Sequence, residues 1–335
     1  MSKTIVVDAH HHFAPEGSNE KVGVADGVDF GARFRGGRSK ALHRMMQIEN
    51  TLRFMDDAGV DRAVLNQTIW SPMGVDFCRM MNDGYARVAK TYPDRFIPCA
   101  HLPLGGKSDI LDELDRCVTV LGFRGVAVVS STAEVTLDSE SLYPLYEKVS
   151  GLDVPIVVHP SIRTPIWGGV KYEMSSTVSR EYDIAKATVE VLYGVLPRFP
   201  GLKFIMPHFG GGMPNLKGRI LAWFEPQGWD VPAEIKGHPK TPRELEQSGL
   251  DRAFDALFDR LYFDTAGFGG WMPIAESSTR VIRPDRLCFG TDYPFEIHEA
   301  RDVKSFIENI KKLGVTEEEK SKILGGTILT LFKSR

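Results

Sequence analysis

Cysteine is scarce: the chain has four, Cys78, Cys99, Cys117 and Cys288, and no two form a CxxC pair. That excludes a disulfide-stapled secreted scaffold and points to buried, reduced thiols in a reducing compartment. Charge of one sign is also lacking. The formal net charge is −3 and lysine and arginine are scattered, so neither nucleic acid nor an anionic membrane surface is an expected partner. No apolar run is long enough to span a bilayer, and Met1-Ser2-Lys3-Thr4 is not followed by an apolar signal segment. A cytoplasmic location is expected. No glycine-rich turn follows the first strand, so the dinucleotide-binding fingerprint is missing. No proline- or serine-rich linker and no internal repeat breaks the chain, which predicts a single domain over residues 1–335.

What is present is alternation. Short β-branched runs are expected as strands at Thr4–Ala9, Arg62–Gln67, Phe96–His101, Gly125–Val129, Pro155–His159, Lys203–His208, Leu261–Thr265 and Arg286–Thr291. Helical patterns fall between them, at Gln47–Ala58, Asp76–Tyr92, Asp109–Leu121, Leu142–Ser150, Ala185–Leu196 and Arg252–Phe258, with two more from Ala300 to Leu313 and from Glu317 to Phe332. Strands alternating with helices imply a parallel sheet. Closed on itself, that sheet is a (β/α)8 TIM barrel; an open doubly wound sheet is the alternative. Long irregular stretches at Pro15–Met46 and Ser161–Glu181 follow strands, which places them as loop insertions at the C-terminal, catalytic face. A third stretch, Phe224–Gly249, has no such clear place.

The residues that end the strands carry the chemistry. The first strand leads into Asp8-Ala9-His10-His11-His12, the fifth ends in His159, the sixth in His208 and the eighth in Asp292. Alternation along a strand puts His10 and His12 on one side and His11 on the other, with Asp8 sharing the parity of the pair. Barrel strands converge at one mouth, which brings His159, His208 and Asp292 to the same point. Imidazole and carboxylate donors suit Zn²⁺, Mn²⁺ or Fe²⁺. An HxH pair alone is a modest signal, and one strand-terminal histidine is usually a packed rim residue. Several such residues at the ends of different strands are hard to explain by packing alone. His101, at the end of strand three, is a weaker candidate; His43, His238 and His298 are assigned no role.

These residues sit in a pattern that resembles the amidohydrolase superfamily, in particular the amidohydrolase-related branch that includes aminocarboxymuconate-semialdehyde decarboxylase. The resemblance spans nearly the whole chain and rests on Asp8-x-His10-x-His12, Tyr92-Pro93-Asp94-Arg95-Phe96, Leu121-Gly122-Phe123-Arg124-Gly125-Val126, Val158-His159-Pro160, Pro207-His208-Phe209-Gly210-Gly211-Gly212 and Phe289-Gly290-Thr291-Asp292-Tyr293-Pro294-Phe295. It implies that His10, His12, His159 and Asp292 ligate one divalent metal, usually zinc, and that His208 and Asp292 are catalytic, His208 working beside a metal-bound water. The superfamily's binuclear members use a carbamylated lysine after strand four. This chain reads Val128-Val129-Ser130-Ser131 there, which favours one metal. Arg219, eleven positions after His208, is similar in placement to an arginine that reaches a substrate carboxylate across a homodimer. Arg33, Arg35 and Arg38 lie in the loop that supplies another. Trp167, Phe209, Phe268 and Trp271 could line an aromatic pocket or simply close loops over the barrel. Near the C-terminus, Gly325-Gly326-Thr327 departs from an Asn-Ala-Arg run common in the branch.

The leading expectation is a metal-dependent, non-oxidative decarboxylase of a conjugated or aromatic carboxylic acid, acting on a small-molecule carboxylate and forming a homodimer. The alternative is hydrolysis of a lactone, an amide or a carbon–carbon bond at the same site. A non-catalytic accessory barrel is a third possibility.

Overall fold

The computed structural model describes residues 4–15, 18, 44–161, 171–174, 176–224 and 253–333. Nine short strands follow in chain order: β1 Val7–His11, β2 Arg62–Leu65, β3 Phe96–Pro98, β4 Ala100–His101, β5 Val126–Val129, β6 Ile156–His159, β7 Phe204–Met206, β8 Tyr262–Asp264 and β9 Leu287–Cys288. Each pairs in parallel with its successor except at Cys99, which separates β3 from β4 within one extended stretch. The series therefore has eight positions. The first and last meet: Ala9 N–H donates to Phe289 O at 2.8 Å, Asp292 N–H to His10 O at 3.0 Å and His12 N–H to Tyr293 O at 2.9 Å. The sheet closes as the expected (β/α)8 barrel.

Burial follows the pleat. Val64, Ala127, Val157, Ile205 and Cys288 fill the barrel interior, while their sequence neighbours Leu65, Val126, Val158, Phe204 and Phe289 face the surrounding helices. The helices that matter below are α1 Ile48–Ala58, α2 Val75–Thr91, α3 Ser108–Thr119, α4 Tyr143–Leu152, α5 Val178–Glu190 and α6 His208–Phe224. In α1, Thr51, Phe54, Met55 and Ala58 form the buried stripe, and Gly59, at φ 79°, ends it. At the opposite end from the strand-terminal histidines, Ile328, Leu331 and Phe332 pack on Val7, Ala9 and Val157 and plug the barrel floor. Gly325 belongs to this plug: a Cβ there would lie 2.3 Å from Ile5 O. The departure at Gly325-Gly326 is thus a packing feature far from the mouth. All four cysteines are buried and free, as expected. No helix among the described residues is long and apolar enough to cross a membrane.

Two expectations need correction. The first strand begins later and reaches His11, and it carries a β-bulge between Asp8 and His11. The extra residue re-aims the chain. Val7 and Ala9 point into the barrel, and Asp8 lies with His11, whose Nδ1–H donates to Asp8 Oδ2 at 3.0 Å. Asp8 therefore does not share the direction of His10 and His12. The helix expected from Ala185 starts at Val178. Its polar first turn, Ser179-Arg180-Glu181, carries no apolar periodicity and reads as loop.

Candidate metal centre

His10, His12, His159 and Asp292 offer ligand atoms that all lie within 4.8 Å of one another, and all four are buried. His10 and His12 come from β1 and the residue beyond it, His159 from the end of β6, and Asp292 from the turn after β9. Asp292 is held at φ 53°, a left-handed conformation that aspartate tolerates better than most residues.

Outer partners fix how each imidazole faces. His10 Nδ1–H donates to Asp264 Oδ2 at 2.8 Å, His12 Nδ1 faces Gln67 Oε1 at 2.7 Å, and His159 Nδ1–H donates to Pro160 O at 2.8 Å. Each arrangement leaves Nε2 pointing inward as a lone pair. His10 Nε2 is buried with no hydrogen-bond partner. His159 Nε2 sits 3.3 Å from His12 Nε2, and His12 Nε2 sits 2.8 Å from Asp292 Oδ1. Burial, reinforced by the neighbouring histidines, holds His159 well below the usual imidazole range and lowers His12 as well. Against its own burial, the His12 contact keeps the Asp292 carboxyl low. Imidazole nitrogens and an ionised oxygen crowd one point. One divalent cation resolves that repulsion, so the residues fit a single metal ion.

Asp264 was not foreseen, although it ends a barrel strand like the foreseen ligands. Besides His10 it accepts His208 N–H at 2.9 Å and Ala266 N–H at 3.0 Å through Oδ1. One carboxylate thus fixes a metal-facing ring and the backbone of His208. Asp264→Asn is expected to weaken metal affinity about 10- to 100-fold with the fold retained, measured by competition with a chromogenic chelator. An unchanged affinity would remove Asp264 from the support of the centre.

His208 lies beside the quartet, its Nε2 4.0 Å from Asp292 Oδ2 and without a hydrogen-bond partner. Its Nδ1–H donates to Glu181 Oε1 at 2.7 Å. Burial opposes a charge on this ring, but Glu181, with help from Asp292 and Asp264, pushes it up to about 9. Two glycines make the arrangement possible. Gly211, at φ 70°, would place a Cβ 2.3 Å from Glu181 O, so only glycine lets α6 close on the first turn of α5. Gly267, at φ 82°, would place a Cβ 2.1 Å from the His208 ring. Glu181 escaped sequence reading because its helix was expected to start only at Ala185, four residues beyond it.

The other expected residues are distributed unevenly. His11 stacks on Tyr293 at 4.8 Å, away from the quartet. His101 uses both nitrogens on backbone: Nε2 accepts Gln67 N–H at 2.7 Å and Nδ1–H donates to Cys99 O at 3.0 Å. Burial lowers it to about 4, and it positions Gln67, which in turn holds His12. Phe209 is buried against Phe268 at 5.8 Å. Trp271 is 65 % exposed, and Arg219 is exposed on α6. Trp167, Arg33, Arg35, Arg38, His43 and His238 lie outside the described residues.

The family model described as Amidohydrolase matches residues 7–333. The chain is 28% identical over 313 residues to a gamma-resorcylate decarboxylase of Polaromonas sp., covering 87% of this chain and 89% of that protein. It is 28% identical over 256 residues to a 2-amino-3-carboxymuconate-6-semialdehyde decarboxylase of Dictyostelium discoideum, covering 76% of this chain and 66% of that protein. In fold it is similar to the crystal structure of a dihydroxybenzoic acid decarboxylase from Polaromonas sp. with bound manganese and the inhibitor 2-nitroresorcinol. That similarity has a TM-score of 0.75 at 23% identity and covers 98% of this chain and 97% of that one.

Proposed function

The chain belongs to the amidohydrolase family, and on that premise we propose that it is a metal-dependent, non-oxidative decarboxylase of an aromatic or conjugated carboxylic acid. The observation that carries this reading is the buried quartet His10, His12, His159 and Asp292 with the unpaired Nε2 of His208 beside it. The names of the two relatives, both decarboxylases of unsaturated acids, support the reaction class.

His10, His12, His159 and Asp292 would hold the ion. When bound, it supplies Lewis-acid stabilisation of negative charge on substrate oxygen. Zinc is the ion to test first, because three imidazoles and a carboxylate suit it; manganese is the second, since the similar decarboxylase structure contains it. His208 Nε2 delivers a proton to the carbon that loses its carboxylate. The electron pair of the breaking bond takes that proton as carbon dioxide departs. Glu181 holds the ring by Nδ1 so that Nε2 faces the substrate. In this reading Phe209 belongs to the pocket wall. Arg219, exposed on α6, would serve a carboxylate in a homodimer partner's site. The buried, reduced cysteines suit a reducing cytoplasm.

The test is a panel of hydroxybenzoates, muconate semialdehydes and lactones, offered with zinc or manganese and followed by carbon dioxide release and ring absorbance. Release of carbon dioxide with loss of the carboxyl group is expected. Turnover by hydrolysis without carbon dioxide would overturn the proposal in favour of a hydrolase.

A further inference from the structure

Ser130 and Ser131 follow β5 at the mouth of the barrel, and the chemistry described so far gives them no part. Ser130 is fully buried and brackets the turn that carries His159. Its N–H donates to His159 O at 2.8 Å, and its Oγ accepts Ser161 N–H at 2.8 Å. A backbone N–H can only donate, so the hydroxyl hydrogen of Ser130 is left for Asp183 Oδ2, to which it donates. Ser131 Oγ–H donates to the other oxygen, Asp183 Oδ1, at 2.8 Å. Asp183 lies in α5, and its carboxylate thereby ties that helix to the end of β5.

What this clamp fixes follows from peptide geometry. Pro160 C=O and Ser161 N–H belong to one planar trans peptide, in which the two groups point in opposite directions. Ser161 N–H is turned to Ser130. Pro160 O is therefore turned the other way, and there it accepts His159 Nδ1–H at 2.8 Å. His10 and His12 have side-chain acceptors, Asp264 and Gln67, whereas His159 rests on a backbone oxygen. A line of hydrogen bonds runs from the His159 ring through the Pro160–Ser161 peptide and the Ser130 hydroxyl to the Asp183 carboxylate. Each bond in such a line polarises the next. A carboxylate behind one nitrogen of an imidazole fixes the ring and makes the other nitrogen a better ligand. We propose that Ser130 and Asp183 are positioning residues for His159: they hold the Pro160–Ser161 peptide so that His159 Nε2 faces the ion, Asp183 serving His159 through two links as Asp264 serves His10 directly. This rests on the metal-centre reading and not on the reaction assigned to it.

The test loads chelator-stripped wild type and variants with zinc and with cobalt. Zinc affinity is read by competition with a chromogenic chelator. Cobalt gives a paramagnetically shifted proton spectrum that resolves imidazole N–H protons close to the ion. Ser130→Ala and Asp183→Ala should lose about 10- to 100-fold in zinc affinity, and Asp183→Asn, which keeps an acceptor oxygen, should recover part of the loss. Ser131→Ala removes a bond to the same carboxylate without touching the peptide, and should bind zinc as wild type does. In the cobalt spectra, Asp264→Asn and Gln67→Met identify the His10 and His12 signals, which leaves that of His159 Nδ1–H. That signal should broaden by exchange with water in the Ser130 and Asp183 variants while the other two hold. Melting curves of the metal-free proteins identify a variant that fails to fold, in which case Asp183→Asn, at a half-buried position, decides. Wild-type affinity in Ser130→Ala and Asp183→Ala, or a loss shared by Ser131→Ala with all the imidazole signals changed alike, would overturn the assignment and leave the metal centre standing. Wild-type protein that binds neither zinc nor cobalt would overturn the metal centre itself, and the assignment with it.

Discussion

Asp292→Asn is expected to empty the metal site and reduce turnover by at least about 10³-fold. Asp292 is the only anionic member of the quartet. The other three members are imidazoles and bring no negative charge, so a neutral amide leaves a divalent ion with no anionic ligand in a buried site. The substitution is chosen to isolate that charge. Asparagine has the same shape and tolerates the left-handed backbone at φ 53°. The Asp292 backbone N–H to His10 O bond does not depend on the side chain. Metal content by mass spectrometry should fall from one ion per chain towards none, with the melting temperature following that of metal-stripped wild type. Full metal content in the variant would show that the quartet is not the ligand set.

The second large effect separates chemistry from metal binding. His208→Asn should keep the metal and lose about 10²- to 10⁴-fold in kcat. The ring contributes no atom to the quartet, yet its unpaired Nε2 lies 4.0 Å from Asp292 Oδ2. Asparagine again suits the local backbone, where His208 has φ 54°. KM should move little, because the proposed role is proton delivery and not substrate grip. Loss of metal together with activity would instead make His208 part of the support of the ion. Unchanged activity would remove it from the mechanism.

The metal centre was legible in the sequence because three simple regularities coincide there. Strand alternation separates His11 from His10 and His12. A parallel barrel brings strand ends to one mouth. Histidine and aspartate at several of those ends then meet, as His159 and Asp292 do. What surrounds the centre was harder to read. Asp264 and Gln67 are ordinary strand-end residues until the packing shows which ring each one holds. Glu181 sits in a helical turn too polar to announce itself, and its reach towards His208 depends on Gly211 permitting close contact between α5 and α6. The bulge in β1 reverses the side on which Asp8 lies, a shift that no pattern of alternating residues reveals. Zinc and manganese share the same donor set, so metal identity is not written in residue types alone.

The central claim is that one ion held by this quartet supports loss of a carboxylate. The direct measurement is a metal titration of chelator-stripped wild type with a carboxyl-labelled hydroxybenzoate, following labelled carbon dioxide. Release should rise with added zinc or manganese and level off at one ion per chain, with a proton in place of the carboxyl group in the product. Release that persists in the stripped protein, or metal-dependent turnover that yields no labelled carbon dioxide, would contradict it.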